Sequence, residues 1–133
     1  MLYSRTAKYG LKTLAYLAEA SPGEYRTVET VARETEVPAE FLGKIFQRLA
    51  REGLLESQRG RGGGFRLTRP GEEISLLEVV QILDGERVFD RCPFDLKDCG
   101  EGDNCPLHEE WKPIRDRIVG LMEDKTVADL IAE

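Results

Sequence analysis

The sequence is poor in histidine and cysteine, with one and three respectively in 133 residues, and it has no long apolar run. A membrane-spanning helix needs about 18–20 consecutive apolar residues, so no such helix is expected. The opening segment MLYSRTAKYGLKTLAYLAEA spaces its apolar side chains at helical intervals between Lys and Arg. It also lacks the small-residue cleavage site of a signal peptide. We therefore expect a cytoplasmic protein that makes no membrane contact.

Features of catalytic sites are equally scarce. The single histidine belongs to no recognisable nucleophile–base pair, and no nucleotide-binding motif is present. The glycine-rich segment RGRGGGFRLTR, Arg59–Arg69, is not a P-loop. A P-loop continues into a Lys-Ser/Thr pair and a helix, whereas these glycines precede a strand-like segment. We therefore expect that the protein is not an enzyme.

The net charge of −6 is distributed unevenly along the chain. Residues 1–71 contain 12 Lys and Arg against 8 Asp and Glu, a charge of +4, whereas residues 72–133 contain 7 against 17, a charge of −10. A polyanion would attract the first half and repel the second. This difference suggests two domains with different roles, at residues 1–72 and 73–133.

Apolar periodicity predicts three helices in the basic half. We expect them at 4–20, at 27–35 with Thr27 as the N-cap, and from Pro38, in the first turn, to about Glu52 before Gly53. The outer face of the third helix carries mainly basic and polar side chains: Glu40, Lys44, Gln47, Arg48 and Arg51. Two short helices joined by a tight turn, the second with a basic face, predict a helix-turn-helix.

A hairpin is predicted directly after this helix pair. LLESQ and FRLTR are strand candidates, and the glycines of RGRGGG permit the positive φ angles of a tight tip. Such a hairpin is the wing of a winged helix, thin enough for backbone N–H groups and arginines to approach DNA. The predicted fold is therefore mainly α with a small β-hairpin wing, followed by a long C-terminal helix.

The acidic half is predicted to contain three more helices. Ser75 and Glu78 form a capping-box pattern at the start of SLLEVVQILDGE, and TVAD caps a short terminal helix. A long helix at 107–123, with Pro113 in its first turns or at a kink, has apolar residues at steps of 4, 3, 4 and 3: Leu107, Trp111, Ile114, Ile118 and Leu121. This heptad-like stripe packs either on its own chain or on another subunit, and its regularity favours pairing with a second helix.

The three cysteines lie close together in one loop rich in Asp, Gly and Pro. Cys92, Cys99 and Cys105 are separated by six and five residues, and His108 follows the last by one helical turn. Three cysteines cannot all pair, disulfides are rare in the cytosol, and the paired CxxC of a zinc ribbon is absent. The spacing favours metal over free thiols, and it leaves zinc and an iron–sulfur cluster both open.

These motifs together resemble the winged-helix transcription regulators of the IscR/NsrR type, bacterial repressors and activators that sense iron–sulfur status, nitric oxide or redox state. The resemblance rests on TAKYGLKTLAYLA, VPAEFLGKIFQRLAREGLLESQRGRGGGFRLTRP, ISLLEVVQILDGE and the cysteine loop, and it covers nearly the whole chain. It implies a homodimer that reads pseudo-palindromic double-stranded DNA. It also implies the DNA-binding residues, namely Arg5, Glu40, Phe41, Lys44, Arg48, Arg59, Gly60 and Arg61.

The resemblance further implies an iron–sulfur cluster, with 2Fe–2S favoured over 4Fe–4S. Cys92, Cys99 and Cys105 match the cluster ligands, and CPLHEEW is similar to the IscR-like segment in which a histidine, here His108, is the fourth ligand. NsrR-like members use an acidic residue of the partner's first helix instead, where this chain has Lys8. A cluster-free thiol or redox sensor and a zinc-containing regulator of the same fold remain alternatives. So does an electron-transfer or cluster-assembly protein, which would need no basic helix or arginine wing.

Overall fold

The computed structural model describes residues 3–20, 22–90 and 107–131. Within these ranges the chain forms five α-helices and one antiparallel hairpin, which confirms the predicted fold class. The elements in chain order are α1 (Arg5–Ala20), α2 (Val28–Thr35), α3 (Ala39–Arg51), β1 (Leu55–Gln58), β2 (Gly64–Leu67), α4 (Leu76–Asp84) and α5 (His108–Asp124). Short 3-10 turns lie at Gly71–Glu73, Val88–Asp90 and Val127–Leu130.

Local capping residues set the limits of the helix-turn-helix. Thr27 caps α2, because its side chain accepts a hydrogen bond from the backbone N–H of Thr30 at 3.2 Å. α2 ends at Thr35, and the C-cap residue Glu36, with φ of 61°, turns the chain toward α3. Pro38 lies directly before the first residue of α3, one position earlier than the predicted first turn. Gly53, with φ of 87°, follows the end of α3 as predicted.

One apolar core joins α1, α3 and α4. Its largest fully buried side chains are Phe46, Leu14, Leu17, Leu42, Leu49, Leu54, Leu55, Ile74, Val31, Val79, Val80 and Val127. They come from both sides of residue 72, so α4 and the C-terminal turn complete the core that α1 and α3 begin. α1 and α4 approach closely at Gly10, where an added Cβ would lie 2.4 Å from Leu83 Cδ1.

The hairpin is fixed to the core on one side. β1 and β2 pair antiparallel with Leu55 opposite Leu67. Phe65 extends the pairing, because its backbone exchanges hydrogen bonds of 2.9 and 2.8 Å with Arg26. The Phe65 ring also packs edge-on against Phe46, with centroids 5.3 Å apart. The base of the wing is therefore attached to both α3 and the segment before α2.

The C-terminal helix packs on the rest of the chain through few side chains. α5 contacts α4, and Met122 is its buried residue. Pro113 is the sixth residue of the helix, in its second turn. The segment after α5 returns to the core: Val127 N–H donates to Ile74 O at 2.9 Å, and Thr126 caps the final 3-10 turn. Among the described residues, no helix is both long and apolar enough to cross a bilayer.

Candidate nucleic-acid interface

The outer face of α3 is basic, because it exposes three cations against one carboxylate. Its inner face, Leu42, Ile45, Phe46 and Leu49, is fully used by the core. The opposite side exposes Glu40, Phe41, Lys44, Gln47, Arg48 and Arg51, as the sequence predicted. Phe41 leaves 52% of its side chain exposed among these charges. A basic helix face with an aromatic residue has the chemistry to contact both phosphates and bases.

A shallow groove of about 370 Å³ runs beside this face. Its polar lining comes from α3 and from Thr6 in the first turn of α1, with Lys44, Arg48 and Arg51 as its cations. Arg5 precedes Thr6 and is exposed. Thr6 was missed by the sequence analysis, because its position beside α3 depends on the packing of α1 and has no local signal.

The wing tip carries two exposed arginines. Arg59 and Arg61 flank Gly60, and all three residues are exposed between β1 and β2. Within the part of the chain that the structure describes, neither guanidinium forms an ion pair. The segment is thus a hairpin tip with available cations, and it is not a phosphate loop before a helix.

Glycine is required where the wing meets the segment before α2. Gly64 has φ of 130°, and a Cβ there would lie 2.2 Å from the carbonyl oxygen of Arg26. Gly62, at the tip, has φ of 77° but open space around it. Gly64 therefore allows the close backbone approach that attaches the wing, whereas Gly62 only forms the turn.

The other two arginines of the motif serve the fold. Arg66 pairs with Glu56, and its guanidinium carbon lies 4.5 Å from the centre of the Tyr25 ring. Arg69 pairs with Glu78 at 2.7 Å. Ser75 Oγ accepts a hydrogen bond from the Glu78 backbone N–H at 3.1 Å, which confirms one half of the predicted capping box. The Glu78 carboxylate binds Arg69 in place of the Ser75 backbone N–H that the full box requires. The four arginines of the motif therefore differ in role: Arg59 and Arg61 are exposed at the wing tip, whereas Arg66 and Arg69 form ion pairs within the fold.

The predicted metal ligands are only partly within the described residues. Cys92, Cys99 and Cys105 lie outside them, whereas His108 is the first residue of α5 and is half-buried. The described residues hold no group of three or more His, Cys, Asp or Glu that could bind a metal ion. His108 thus stands where the cysteine segment joins α5, and a donor set of three thiolates and one imidazole suits zinc or an iron–sulfur cluster.

The predicted stripe of α5 is divided between the core and the surface. Ile118 packs against the core, and Trp111 is half-buried. By contrast, Ile114 and Leu121 are 53% and 55% exposed, and Leu107 is 39% exposed. The described chain therefore leaves much of this apolar stripe uncovered.

Known proteins share both the sequence pattern and the fold. Protein aau3 of Rhizobium meliloti (strain 1021) is 32% identical over 133 residues, covering 98% of this chain and 85% of that protein. The HTH-type transcriptional regulator IscR of Escherichia coli O9:H4 (strain HS) is 28% identical over 127 residues, covering 96% and 76%.

Solved structures agree at the level of the fold. CymR, the global cysteine regulator of B. subtilis, superposes with a TM-score of 0.77 at 24% identity, covering 96% of this chain and 93% of CymR. T. potens IscR gives a TM-score of 0.73 at 20% identity, covering 96% and 83%. Both are similar to this chain along its winged helix and its C-terminal helix alike.

The family model named Rrf2, described as iron-dependent transcriptional regulator, matches residues 3–133. The match includes the winged helix, the cysteine segment and α5. Its members are transcriptional regulators, in agreement with the prediction that the chain is not an enzyme. The basic face of α3 and the arginine wing thus lie in a winged helix, as the sequence predicted. The chain belongs to the Rrf2 family of DNA-binding transcriptional regulators.

Proposed function

We propose that the protein is a cytoplasmic, homodimeric regulator whose binding to a pseudo-palindromic operator is controlled by an iron–sulfur cluster. The observation that carries the DNA-binding part is the surface of α3, whose inner side is wholly buried while its outer side exposes Lys44, Arg48 and Phe41. α3 is the recognition helix in this proposal. Glu40 lies beside Phe41 on the same exposed face, where a carboxylate can accept a hydrogen bond from cytosine.

The wing and the start of α1 supply the backbone contacts in this proposal. Arg59 and Arg61 bind phosphates or enter a minor groove, and Gly60 lets the tip approach closely. Arg5 binds a phosphate beside the groove that Thr6 lines. Together with Lys44 and Arg48, these cations give an affinity that falls steeply with salt, because binding releases counterions.

The exposed stripe of α5 is the proposed dimer contact. Ile114 and Leu121 each leave more than half of their side chains in water. Covering them with the same stripe of a second subunit removes apolar surface from water, at about 25 cal/mol per Å². Two copies of α3 then face DNA with two-fold symmetry, which is why the operator is expected to be pseudo-palindromic.

Cys92, Cys99, Cys105 and His108 would hold the cluster, with 2Fe–2S favoured over 4Fe–4S. The cluster supplies reversible one-electron chemistry and sensitivity to oxidants when bound. His108 contributes an imidazole, which is neutral where a thiolate is anionic. Since His108 begins α5, ligation would also join the cysteine segment to the proposed dimer helix. The family description as iron-dependent supports this assignment.

The DNA-binding part is tested on a duplex selected from a random library by the wild-type protein. Replacing Arg59 or Arg61 by Ala should weaken binding by about 1–3 kcal/mol and reduce the salt slope by about one each. Arg66→Ala is the matched control, because it removes the same charge from the same hairpin but from a residue paired with Glu56. If the tip variants and the control bind alike, the wing assignment is wrong. A wild type that selects no duplex would favour the electron-transfer or cluster-assembly alternative.

A further inference from the structure

The N-terminus of α1 is held by a carboxylate from the end of α4. The backbone N–H of Ser4 donates to Asp84 Oδ2 at 2.7 Å, and the Ser4 hydroxyl donates to Asp84 Oδ1. Ser4 Oγ in turn accepts from the backbone N–H of Ala7 at 3.0 Å. Ser4 therefore caps α1, and Asp84, 80 residues away in the sequence, fixes the cap in place.

Two apolar contacts on either side stabilise the same junction. Leu83 packs where Gly10 brings α1 and α4 together. The Tyr3 ring meets Phe89 edge-on, with centroids 6.4 Å apart. The first turn of α1 is thus attached to α4 and to the 3-10 turn that follows it, and Asp84 provides its polar contact.

This first turn leads directly to the DNA-facing groove. Arg5 is the first residue of α1 and is exposed, and Thr6 lines the groove together with Lys44 and Arg48. The first turn of a helix has unsatisfied N–H groups and frays when its cap is lost. A guanidinium on a frayed turn must be ordered when it binds a phosphate, and that ordering opposes binding.

We propose that Asp84 is a positioning residue for DNA recognition, which holds the capped first turn of α1 so that Arg5 is preset to contact a phosphate. Asp84 acts through Ser4 and makes no DNA contact itself. The inference rests on the proposed function, since it assumes that α1 and α3 face DNA.

The sign of the effect separates positioning from simple electrostatics. Removing a carboxylate near DNA weakens repulsion of the phosphates and by itself tightens binding. Loss of a positioning carboxylate weakens binding instead. Glu86 is exposed and lies two residues beyond Asp84, so Glu86→Ala makes the same change of charge near the same place.

The experiment measures fluorescence anisotropy with the duplex selected by the wild-type protein, over a range of salt concentrations. Asp84→Ala is expected to weaken binding about tenfold and to lower the salt slope by about one, the value for one lost phosphate contact. Glu86→Ala should bind as the wild type does or slightly more tightly. In an Arg5→Ala background, Asp84→Ala should cause little further loss, because both changes remove the same contact.

The proposal is overturned if Asp84→Ala binds as tightly as Glu86→Ala, if Arg5→Ala has no effect, or if the two losses add in full. Thermal unfolding checks that each variant is folded at the temperature of the assay. If Asp84→Ala does not fold, Asp84→Asn, which retains one acceptor, and Ser4→Ala make the same comparison. A wild type that selects no duplex ends both the proposed function and this inference, whereas an unchanged Asp84 variant ends the inference alone.

Discussion

α3 and α5 are both amphipathic helices, but the described residues cover the apolar face of only one of them. The four stripe residues of α3, from Leu42 to Leu49, are all buried, and α3 contacts α1, α2, α4 and β1. α5 has a stripe of similar spacing, yet Ile114 and Leu121 stay more than half exposed and its buried residue is Met122. Similar periodicity therefore has two different outcomes within one chain.

The difference shows what an apolar stripe does and does not specify. Its spacing predicts a helix and the direction of its apolar face, because side chains three and four residues apart share a side. Which residues cover that face depends on the tertiary or quaternary structure, and spacing alone does not specify it. For α3 the cover is in the same chain, and for α5 we propose that a second copy supplies it.

The largest expected effect is loss of the proposed cluster when one of its cysteine ligands is replaced, with no effect on the winged helix. Cys99→Ala should remove the cluster completely, because two thiolates and an imidazole cannot replace the lost ligand, while the winged helix stays folded. The visible spectrum, iron and sulfide content and far-UV circular dichroism of anaerobically purified protein measure both parts. A Cys99→Ala protein that keeps its iron and sulfide would contradict the assignment. Wild-type protein with zinc, or with no metal, would favour the alternative regulators.

His108 gives a graded version of the same test. His108→Ala should leave the cluster labile, whereas His108→Cys should retain it with a lower reduction potential, because a thiolate adds negative charge. If His108→Ala keeps the wild-type spectrum and potential, the fourth ligand lies elsewhere. The first candidates are then four acidic residues outside the described ranges, namely Asp95, Asp98, Glu101 and Asp103.

The parts that sequence predicted well are those fixed by local chemistry. Thr27 and Ser75 cap α2 and α4, and Gly53 follows the end of α3, because capping depends on residues only a few positions away. The hairpin followed from its strand pattern and its glycines. The face of α3 followed from spacing.

The parts that sequence missed depend on contacts between distant residues. Arg66 and Arg69 look like wing cations in the motif, but they pair with Glu56 and Glu78. Thr6 joins the groove, and Asp84 fixes the start of α1, only because α1 packs against both α3 and α4. No local pattern carries this information.

The next largest effect concerns the uncovered stripe. Replacing both Ile114 and Leu121 by Asp should weaken the proposed dimer by more than about a hundredfold, because four carboxylates would then be desolvated at a two-fold contact. Sedimentation velocity over a range of concentrations measures it. Ile118 is the poorer site for this test, since it packs against the core of its own chain.

Lys112→Glu is the matched control for the dimer. It makes the same change of two charge units, and Lys112 lies about 200° around the helix from Ile114, on the opposite side. Its exposed pair with Asp116, 3.4 Å apart, contributes little to stability. A wild type that sediments as a monomer at micromolar concentration would show that no second copy of the chain covers the stripe.

The wing offers a comparison between two glycines of the DNA-binding region. Gly64→Ala should destabilise the protein by about 2–4 kcal/mol, because it combines an unfavourable φ with a backbone clash at Arg26. Gly62→Ala should cost only about 1 kcal/mol, since its φ is positive but its surroundings are open. Chemical denaturation measures both. Equal losses would show that the wing is not attached through this backbone contact.

The smallest expected effect lies at the C-terminal turn, where Asp129 caps Thr126. The Thr126 backbone N–H donates to Asp129 Oδ2 at 2.8 Å, and this hydrogen bond is the main cause that holds the pKa of Asp129 below 3.8. Because the folded state lowers this pKa, Asp129 stabilises the protein above the ordinary pKa of the carboxyl, and the contribution disappears as pH falls through the folded value. The wild type should therefore have a slightly higher Tm than Asp129→Ala near about pH 7. The gap in Tm should close as the pH falls below 3.8.

Glu123→Ala removes an exposed carboxylate from α5 and controls for net charge. A Tm gap that stays constant into this acid range would mean that Asp129 stabilises the turn by packing, and that its charge has no part in the cap.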